Sequence, residues 1–402
     1  MIVRFLLVFS LVVVDVLCNR YADQLYEDLL YYYNKNVRPV KNNTDAVRVK
    51  FGASLIRLID VDEVNQVLTT NLWLEMQWFD NKLAWDPDKW NGIRKLHIPS
   101  DQIWIPDILL YNNADGEPHI TIMSDALVYF TGLVVWKPPS IYKSFCPIDI
   151  EYFPYDSQHC SMKFGGWSHN GFALDPYTGP RIETLYDSNG KEYQYLEKGM
   201  DISAFYPSLE WDLMSLSSKR HEQLYPGCCG QESYIDVTFD ISLRRKTLFY
   251  TVNLVIPCML IAILTTFVYY IPPIEHKMTF SISILVTLTV FYLVLIELIP
   301  PTSLVIPLIG KYLLFTMLLI SDDWTHVANV IDRLLLIFFS TINLAGTVLI
   351  IIKSPVFFDD RDPLSLGNMS QPMSGDTFGR FLQNGNFTEE SWWDNSYMDS
   401  FS

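Results

Sequence analysis

Two groups of side chains carry chemistry that packing alone does not call for. The first lies in Lys277–Pro300, KMTFSISILVTLTVFYLVLIELIP. At about 100° per residue, Thr279, Ser283, Val286, Val290, Leu293 or Val294, and Glu297 fall near one helical stripe. Hydroxyls stand at one end, branched aliphatics in the middle and a carboxylate at the other end. Apart from Lys277 and Glu297 the segment is uncharged, and at about 1.5 Å per residue it can cross a bilayer. A helix facing only lipid has no reason to align Glu297 with two hydroxyls, whereas a helix facing a wet axis does. Ser281, Thr287 and Thr289 lie off the stripe. The alternative is a packed helix whose hydroxyls bond its neighbours.

The second group is aromatic. In Asn71–Trp78, alternation predicts that Leu72, Leu74, Met76 and Trp78 face a core, while Trp73, Glu75 and Gln77 point the other way. In Tyr234–Leu243, Ile235, Val237, Phe239, Ile241 and Leu243 point in. Tyr234, Asp236, Thr238 and Asp240 point out. An aromatic ring leading a polar strand face wants a partner. The competing reading is a surface ring packed on its own domain.

The elements that must position these groups follow from composition. The chain has 402 residues, a net charge of -16 and 50% hydrophobic residues. That acidity argues against nucleic acid and fits attraction of cations. Turn-rich stretches come first and apolar runs later, the pattern of a membrane protein with a large polar domain. Residues 1–19 read as a signal peptide, with Arg4 as the charged start and Phe5–Val14 as the apolar core. The following domain, residues 20–246, is then exported into an oxidising space. Leaving Cys18 aside, Cys258 lies in an apolar run as a free thiol, and four cysteines remain for two bridges.

Tyr21–Asn34 predicts a short helix with Leu25, Leu29 and Tyr32 on one face. Short alternating strands between turns from Val47 to Leu243 predict an antiparallel, immunoglobulin-like β-sandwich. Asn42 opens a glycosylation sequon. Hairpin spacing favours pairing Cys146 with Cys160, and the loop of about 15 residues is worth ~3 kcal/mol in the chain-entropy model. Inside it, Phe153-Pro154-Tyr155-Asp156 is a turn whose two rings need something to pack on, such as a membrane domain below. Cys228 and Cys229 are adjacent. Joined to each other they stiffen a loop tip; separate partners are the alternative, and no cysteine or histidine cluster is near enough to suggest zinc.

Residues 247–352 read as an all-α transmembrane bundle, with spans at about 247–270 (bent by Pro257), 278–299, 305–320 and 334–352. The third is short and broken by Lys311. Residues 353–402 read as a polar, disordered tail carrying sequons at Asn368 and Asn386. No Gly-x-Ser-x-Gly elbow or His-Glu-x-x-His pair is present, so a hydrolase on a membrane anchor has no support.

Taken with Trp104-Ile105-Pro106-Asp107, Tyr111-Asn112-Asn113-Ala114-Asp115-Gly116, Cys160–Trp167 and Pro300–Met317, these motifs resemble the Cys-loop pentameric ligand-gated channels. More narrowly, the chain resembles an invertebrate nicotinic acetylcholine receptor α-type subunit over about residues 20–320 and 322–355. The resemblance implies an acetylcholine-gated cation channel in the plasma membrane, postsynaptic and multi-pass, with an extracellular N-terminus. It implies no enzyme activity and no cofactor. The partners implied are acetylcholine or a related quaternary ammonium, other subunits of a pentamer, and permeant monovalent and divalent cations.

The principal binding face would supply Tyr111, Trp167, Tyr225 and Tyr234, with the joined Cys228–Cys229 tip closing over them. A neighbour's complementary face would supply Trp73. Ring faces suit a quaternary ammonium, which has no N–H to donate. Lys163, Tyr225 and Asp236 match the trio that links loop closure to gating. Arg245, Phe153, Pro154 and Asp156, with Pro300–Ser303, match the junction that passes motion to the pore. Thr279, Ser283, Val286, Val290 and Glu297 match the pore lining.

The chain departs from that family at four places. Gly227 looks inserted between Tyr225 and Cys228, His276 holds the usual glutamate position at the inner pore mouth, and Val286 replaces a gate leucine. Fourth, the third span breaks at Ile320. Leu308–Ile320 gives about 20 Å of helix against a hydrocarbon core of about 30 Å, and Asp322 and Asp323 follow closely. The expectation is that this span does not insert stably. The tail then stays unglycosylated in the cytosol, and the subunit binds ligand, or poisons pentamers, without conducting.

Overall fold

The computed structural model describes residues 20–42, 45–117, 120, 122–166, 172–176, 182–186, 192–224, 233–268, 270, 276–299, 306–320 and 328–353. An N-terminal helix (residues 20–30) caps a two-sheet sandwich, and apolar helices follow. Leu25 is buried and Leu29 packs on the core, as the helical spacing requires. Tyr32 does not join them. It lies past the end of the helix and is 91% exposed. Tyr33 turns inward instead, and its hydroxyl donates to Asp80 Oδ2 at 2.6 Å.

Thirteen strands are described. One sheet has the order β3-β5-β6-β2-β1-β9, with β7 also paired to β2. Its strands are β1 (Val47–Asp62), β2 (Val67–Phe79), β3 (Lys95–Pro99), β5 (Asp125–Tyr129), β6 (Leu133–Trp136), β7 (Pro139–Phe145) and β9 (Phe172–Pro176). The other sheet has the order β10-β11-β12-β13-β8-β4. Its strands are β4 (Ile108–Leu110), β8 (Ser157–Gly166), β10 (Ile182–Tyr186), β11 (Glu192–Leu196), β12 (Trp211–Leu224) and β13 (Ser233–Arg245). Pairing is antiparallel except between β1 and β9, which run parallel, so the sandwich is not purely antiparallel. The β10–β11 hairpin widens the second sheet beyond β12, an addition the strand spacing did not suggest.

Alternation places the core. Leu72, Leu74, Met76 and Trp78 of β2 are fully buried, and so are Val237, Phe239, Ile241 and Leu243 of β13. Phe51 of the first sheet meets Phe164 and Phe239 of the second at centroid distances of 5.5 and 6.1 Å. The opposite face of β2 is less wet than alternation alone suggests. Trp73 is 48% exposed, but Glu75 and Gln77 are buried, because Lys137 reaches Glu75 at 3.1 Å and Gln77 Nε2 donates to the same carboxylate at 2.8 Å. Burial lifts the Glu75 carboxyl above its usual range, and Lys137 opposes that rise. Cys146 and Cys160 are joined by a disulfide.

The first apolar helix, Leu248–Val268, widens to a π-turn at Thr251–Val255, with Ile256 between that turn and Pro257. Pro257 has no N–H to donate, and the wider turn takes the backbone through that gap. His276–Leu298 is a single helix, followed by Leu308–Ile320 and Ala328–Lys353. Among the described residues, two helices are long and apolar enough to cross a membrane, Leu248–Val268 and Thr279–Leu298. The third helix has 13 residues. It nevertheless packs: Ile309 and Leu313 are buried in one cluster with Ile284, Leu288 and Leu295 of the second.

The turn between β5 and β6 requires a glycine. Gly132 has φ +82°, and a Cβ there would sit 2.6 Å from the Asp80 carbonyl oxygen. Gly132→Ala should therefore destabilise the sandwich by about 1–3 kcal/mol, read as a lower thermal-unfolding midpoint of the purified chain. An unchanged midpoint would show that the turn tolerates a side chain.

Candidate functional site

Two clusters of polar side chains lie at opposite ends of β13. At its start, register sets Asp236 opposite Gly165 of β8 and His221 of β12. Asp236 is only 2% exposed, yet it lies on the sheet's outer face, where Lys163 covers it with Nζ–Oδ1 at 3.3 Å. Thr238 Oγ1 donates to Oδ2 at 3.2 Å.

Tyr111 follows β4 and joins the same place. Its backbone N–H donates to the Lys163 carbonyl at 2.8 Å, its hydroxyl donates to the Gly166 carbonyl at 2.6 Å, and Lys163 Nζ lies 5.9 Å from its ring centroid. The ring lies so close over Gly165 that any Cβ there would overlap it, which explains why a glycine stands on β8 at that level. Asn112 locks the loop: its Oδ1 accepts from Lys163 N at 3.0 Å, and its Nδ2 donates to Ser161 O at 2.7 Å.

The structure therefore brings Tyr111, Lys163 and Asp236 together, with Tyr234 two residues from Asp236 on the same strand, opposite Gln223. Trp73 is not with them. It lies on β2 of the other sheet, next to Ser54 and Pro139 in register. Trp167, Tyr225, Cys228 and Cys229, with the pairing of those cysteines, lie outside the described residues.

At the other end of β13, Arg245 is 1% exposed. Its Nε and Nη2 donate to Asp156 at 2.7 and 3.0 Å, and its Nη1 donates to Glu63 at 2.7 Å. The rings of Trp211, Phe153 and Tyr250 lie 4.3, 5.1 and 5.3 Å from the guanidinium carbon. Burial disfavours the charge, but Asp156 and Glu63 outweigh it and the guanidinium is held firmly protonated.

The Phe153–Asp156 turn bears on the membrane domain, as its two rings suggested. Phe153 meets Tyr250 edge-on at 5.4 Å, and the Tyr155 hydroxyl lies 3.1 Å from Thr251 Oγ1. Leu308 N donates to the Glu151 carbonyl at 3.1 Å, which ties the third helix to the same loop. Glu63 and Trp211 belong to this junction but were not singled out from sequence. A turn glutamate after β1 carries no spacing signal. Pro300–Ser303 lie outside the described residues.

On the second apolar helix, Thr279, Ser283, Val286, Val290 and Glu297 are all exposed on the bundle's surface, while Ile284, Leu288 and Leu295 are buried against the other helices. The stripe is thus free to face something outside this chain. Ile282 and Ile296, off the stripe, are exposed as well. The Ser283 hydroxyl donates to Phe280 O of its own helix at 2.8 Å. Asn42 is exposed and its Nδ2 donates to Asp45 at 3.2 Å. Among the described residues no His, Cys, Asp and Glu side chains gather as a metal site.

Arg245→Met should cost about 3–5 kcal/mol, because it leaves Asp156 and Glu63 facing a buried space without their cation. Adding Asp156→Asn and Glu63→Gln should recover part of that loss. Thermal unfolding of the three-fold variant at or below the single variant's midpoint would refute the pairing.

Comparison with known proteins bears on both ends. Residues 22–247 match the family model of the neurotransmitter-gated ion-channel ligand binding domain, and residues 254–321 match that of the neurotransmitter-gated ion-channel transmembrane region. The chain is 52% identical to an "Acetylcholine receptor subunit alpha-like" of Manduca sexta, over 74% of this chain and 56% of that protein. It is 50% identical to "Acetylcholine receptor subunit alpha-like 2" of Drosophila melanogaster, over 78% and 53%. It is 47% identical to "Neuronal acetylcholine receptor subunit alpha-2" of Mus musculus, over 74% and 55%. The chain spans a little over half the length of these relatives.

Proposed function

Because the chain belongs to the neurotransmitter-gated ion-channel family, we propose that it is an acetylcholine-gated cation channel subunit, binding a quaternary ammonium agonist at a subunit interface. One observation carries the reading. Tyr111, Lys163 and Asp236 cluster on one sheet, while the exposed Trp73 stands on the other. A box needing both groups is completed by a second subunit, Trp73 of one copy facing Tyr111, Trp167, Tyr225 and Tyr234 of the next, under the Cys228–Cys229 tip. The assembly is a pentamer in the plasma membrane, postsynaptic, with the sandwich outside. Thr279, Ser283, Val286, Val290 and Glu297 line the pore, and Glu297 with the net charge of -16 favours cations, monovalent and divalent.

The test is agonist-evoked current and equilibrium binding in cells expressing the full chain with partner subunits. Trp167→Ala or Trp73→Ala should each weaken binding of a labelled nicotinic ligand about 30-fold, the loss expected when a ring is taken from a desolvated cation at ~2 kcal/mol. Wild-type affinity in both variants would mean that the box is elsewhere.

One observation favours a second reading, a ligand-binding subunit that does not conduct. The third helix has 13 residues, about 20 Å against a hydrocarbon core of about 30 Å. Parity separates the two readings. With the sandwich outside, four spans put the tail outside, where Asn368 and Asn386 can be glycosylated, and three spans put it in the cytosol. With Asn42 removed, a mobility shift on glycosidase treatment that depends on Asn368 or Asn386 would establish four spans. No shift, with current absent, is the outcome expected of the non-conducting form.

A further inference from the structure

The sandwich approaches the membrane level at a second place besides the Cys146–Cys160 loop. Segment 206–210 leaves β1, where Tyr206 N donates to the Ile56 carbonyl at 2.8 Å, and turns at Ser208 before β12 begins. The Ser208 hydroxyl accepts from Glu210 N at 3.2 Å and from Trp211 N at 3.4 Å. Its carbonyl accepts from Lys246 Nζ at 2.8 Å. Register fixes the height of this turn. Trp211 stands opposite Arg245, and Lys246 N donates to the Glu210 carbonyl at 2.7 Å, which carries the pairing one step further. Leu209 is thereby level with Thr247 and Leu248, where the first apolar helix starts. Leu209 is 93% exposed, and Leu248 and Phe249 are 77% and 68% exposed.

We propose that Leu209 is a membrane anchor of the sandwich. With Leu248 and Phe249 it enters the boundary between headgroups and acyl chains in the adjoining leaflet. The domain then touches lipid through its own turn, besides being joined to the helix. A single exposed leucine is ordinary on the surface of a protein in water. The level of Leu209 is what sets it apart. Leu248–Val268 has 21 residues, about 31 Å of helix against a hydrocarbon core of about 30 Å. Leu248 therefore lies at the edge of that core, and Leu209 lies there with it. The anchor depends on the transmembrane region of the family and not on the agonist site.

The partner is a lipid surface, and zwitterionic lipid suffices. The charges about the turn balance. Arg244 and Lys246 reach Asp212 at 3.6 and 3.5 Å, and Glu210 is exposed beside Leu209. Two cations thus stand with two carboxylates, and no excess of positive charge is left to draw anionic headgroups. The contact is carried by apolar area instead. Lys246 sets its geometry. By holding the Ser208 and Glu210 carbonyls it ties the turn to the residue that precedes the helix cap, so turn and helix start keep one level.

Two measurements on the full chain in phosphatidylcholine vesicles test this. In the first, Leu209→Cys carries a thiol-linked fluorophore, and the signal of the unsubstituted chain treated alike is subtracted. Tyr32→Cys is the reference. Tyr32 is 91% exposed, and its neighbour Tyr33 is bonded to Asp80 just past the far end of β2. The 13 residues of β2 put that end about 40 Å from the Glu63 turn. Lipid bearing a nitroxide just below the headgroup should quench the label of Leu209→Cys and spare that of Tyr32→Cys. Iodide in the water should do the reverse. Equal iodide quenching in the two variants overturns the anchor. So does a label that neither quencher reaches, the result expected if a neighbouring subunit covers Leu209. Replacing part of the lipid by phosphatidylserine should change nothing, and lipid quenching that needs phosphatidylserine overturns the apolar contact. The second measurement needs no substitution. Hydroxyl-radical oxidation in the same vesicles, quantified by mass spectrometry, should be lower at Leu209 than at Leu185 of β10, although in the chain alone they are 93% and 38% exposed. Greater oxidation at Leu209 overturns the inference.

Discussion

A guanidinium sealed from water is the constraint on which the two halves of this molecule depend. Arg245, 1% exposed, closes β13 and lies three residues before the first apolar helix. It cannot shed its proton at any ordinary pH, so its burial is tolerable only while Asp156 and Glu63 stay within bonding distance. Asp156 sits in the Cys146–Cys160 loop, Glu63 sits in the turn between β1 and β2, and Trp211 opens β12. One cation thereby fixes both sheets, the disulfide loop and the start of the membrane domain relative to one another. Displacing any one of these elements leaves an unpaired buried charge.

Alternation along β13 decides what each of its ends can do. Val237, Phe239, Ile241 and Leu243 point into the sandwich, and Arg245 is in phase with them. At the membrane end, that inward direction is what lets Arg245 reach Glu63 from the opposite sheet. Asp236 has the other parity and faces outward, to Lys163 and His221. β13 is hydrogen-bonded on both sides, to β12 and to β8, so neither end can move independently of its neighbours.

Much of this was legible in the sequence, and the reasons are physical. Period-two alternation fixed the inward faces of β2 and β13, because a strand buried on one face leaves no other register available. The pairing of Cys146 with Cys160, and the packing of Phe153 and Tyr155 on the helices, followed from short-range spacing and from the cost of exposing two rings. Contacts made by residues far apart in sequence were not legible. Glu63 approaches Arg245 from the turn after β1, where no spacing marks it, and Tyr193 meets His221 only because an added hairpin widens the sheet. The burial of Glu75 and Gln77 on the face expected to be wet depends on Lys137, a residue of the turn that leads into β7. Tyr32 misled because the helix ends at residue 30, and beyond that point helical spacing no longer says which way a ring points.

The two ion-pair clusters of β13 differ in how firmly they are held. From Asp236 to Arg245 the strand covers about 30 Å at 3.3 Å per residue, with no helix or flexible turn between. Asp236 is shared between two basic side chains, Lys163 and His221, each about one-third exposed. Arg245 has no such freedom: all of its partners are buried or bonded, and its charge is fixed. On the membrane side the Arg245 cluster meets Tyr250 through its ring, and Tyr155, next to Asp156 in the chain, meets Thr251. Those two residues lie at the π-turn of the first apolar helix, Thr251–Val255. There the backbone is wider than an α-helix, so the firmly held end of β13 abuts the one irregular turn of that helix.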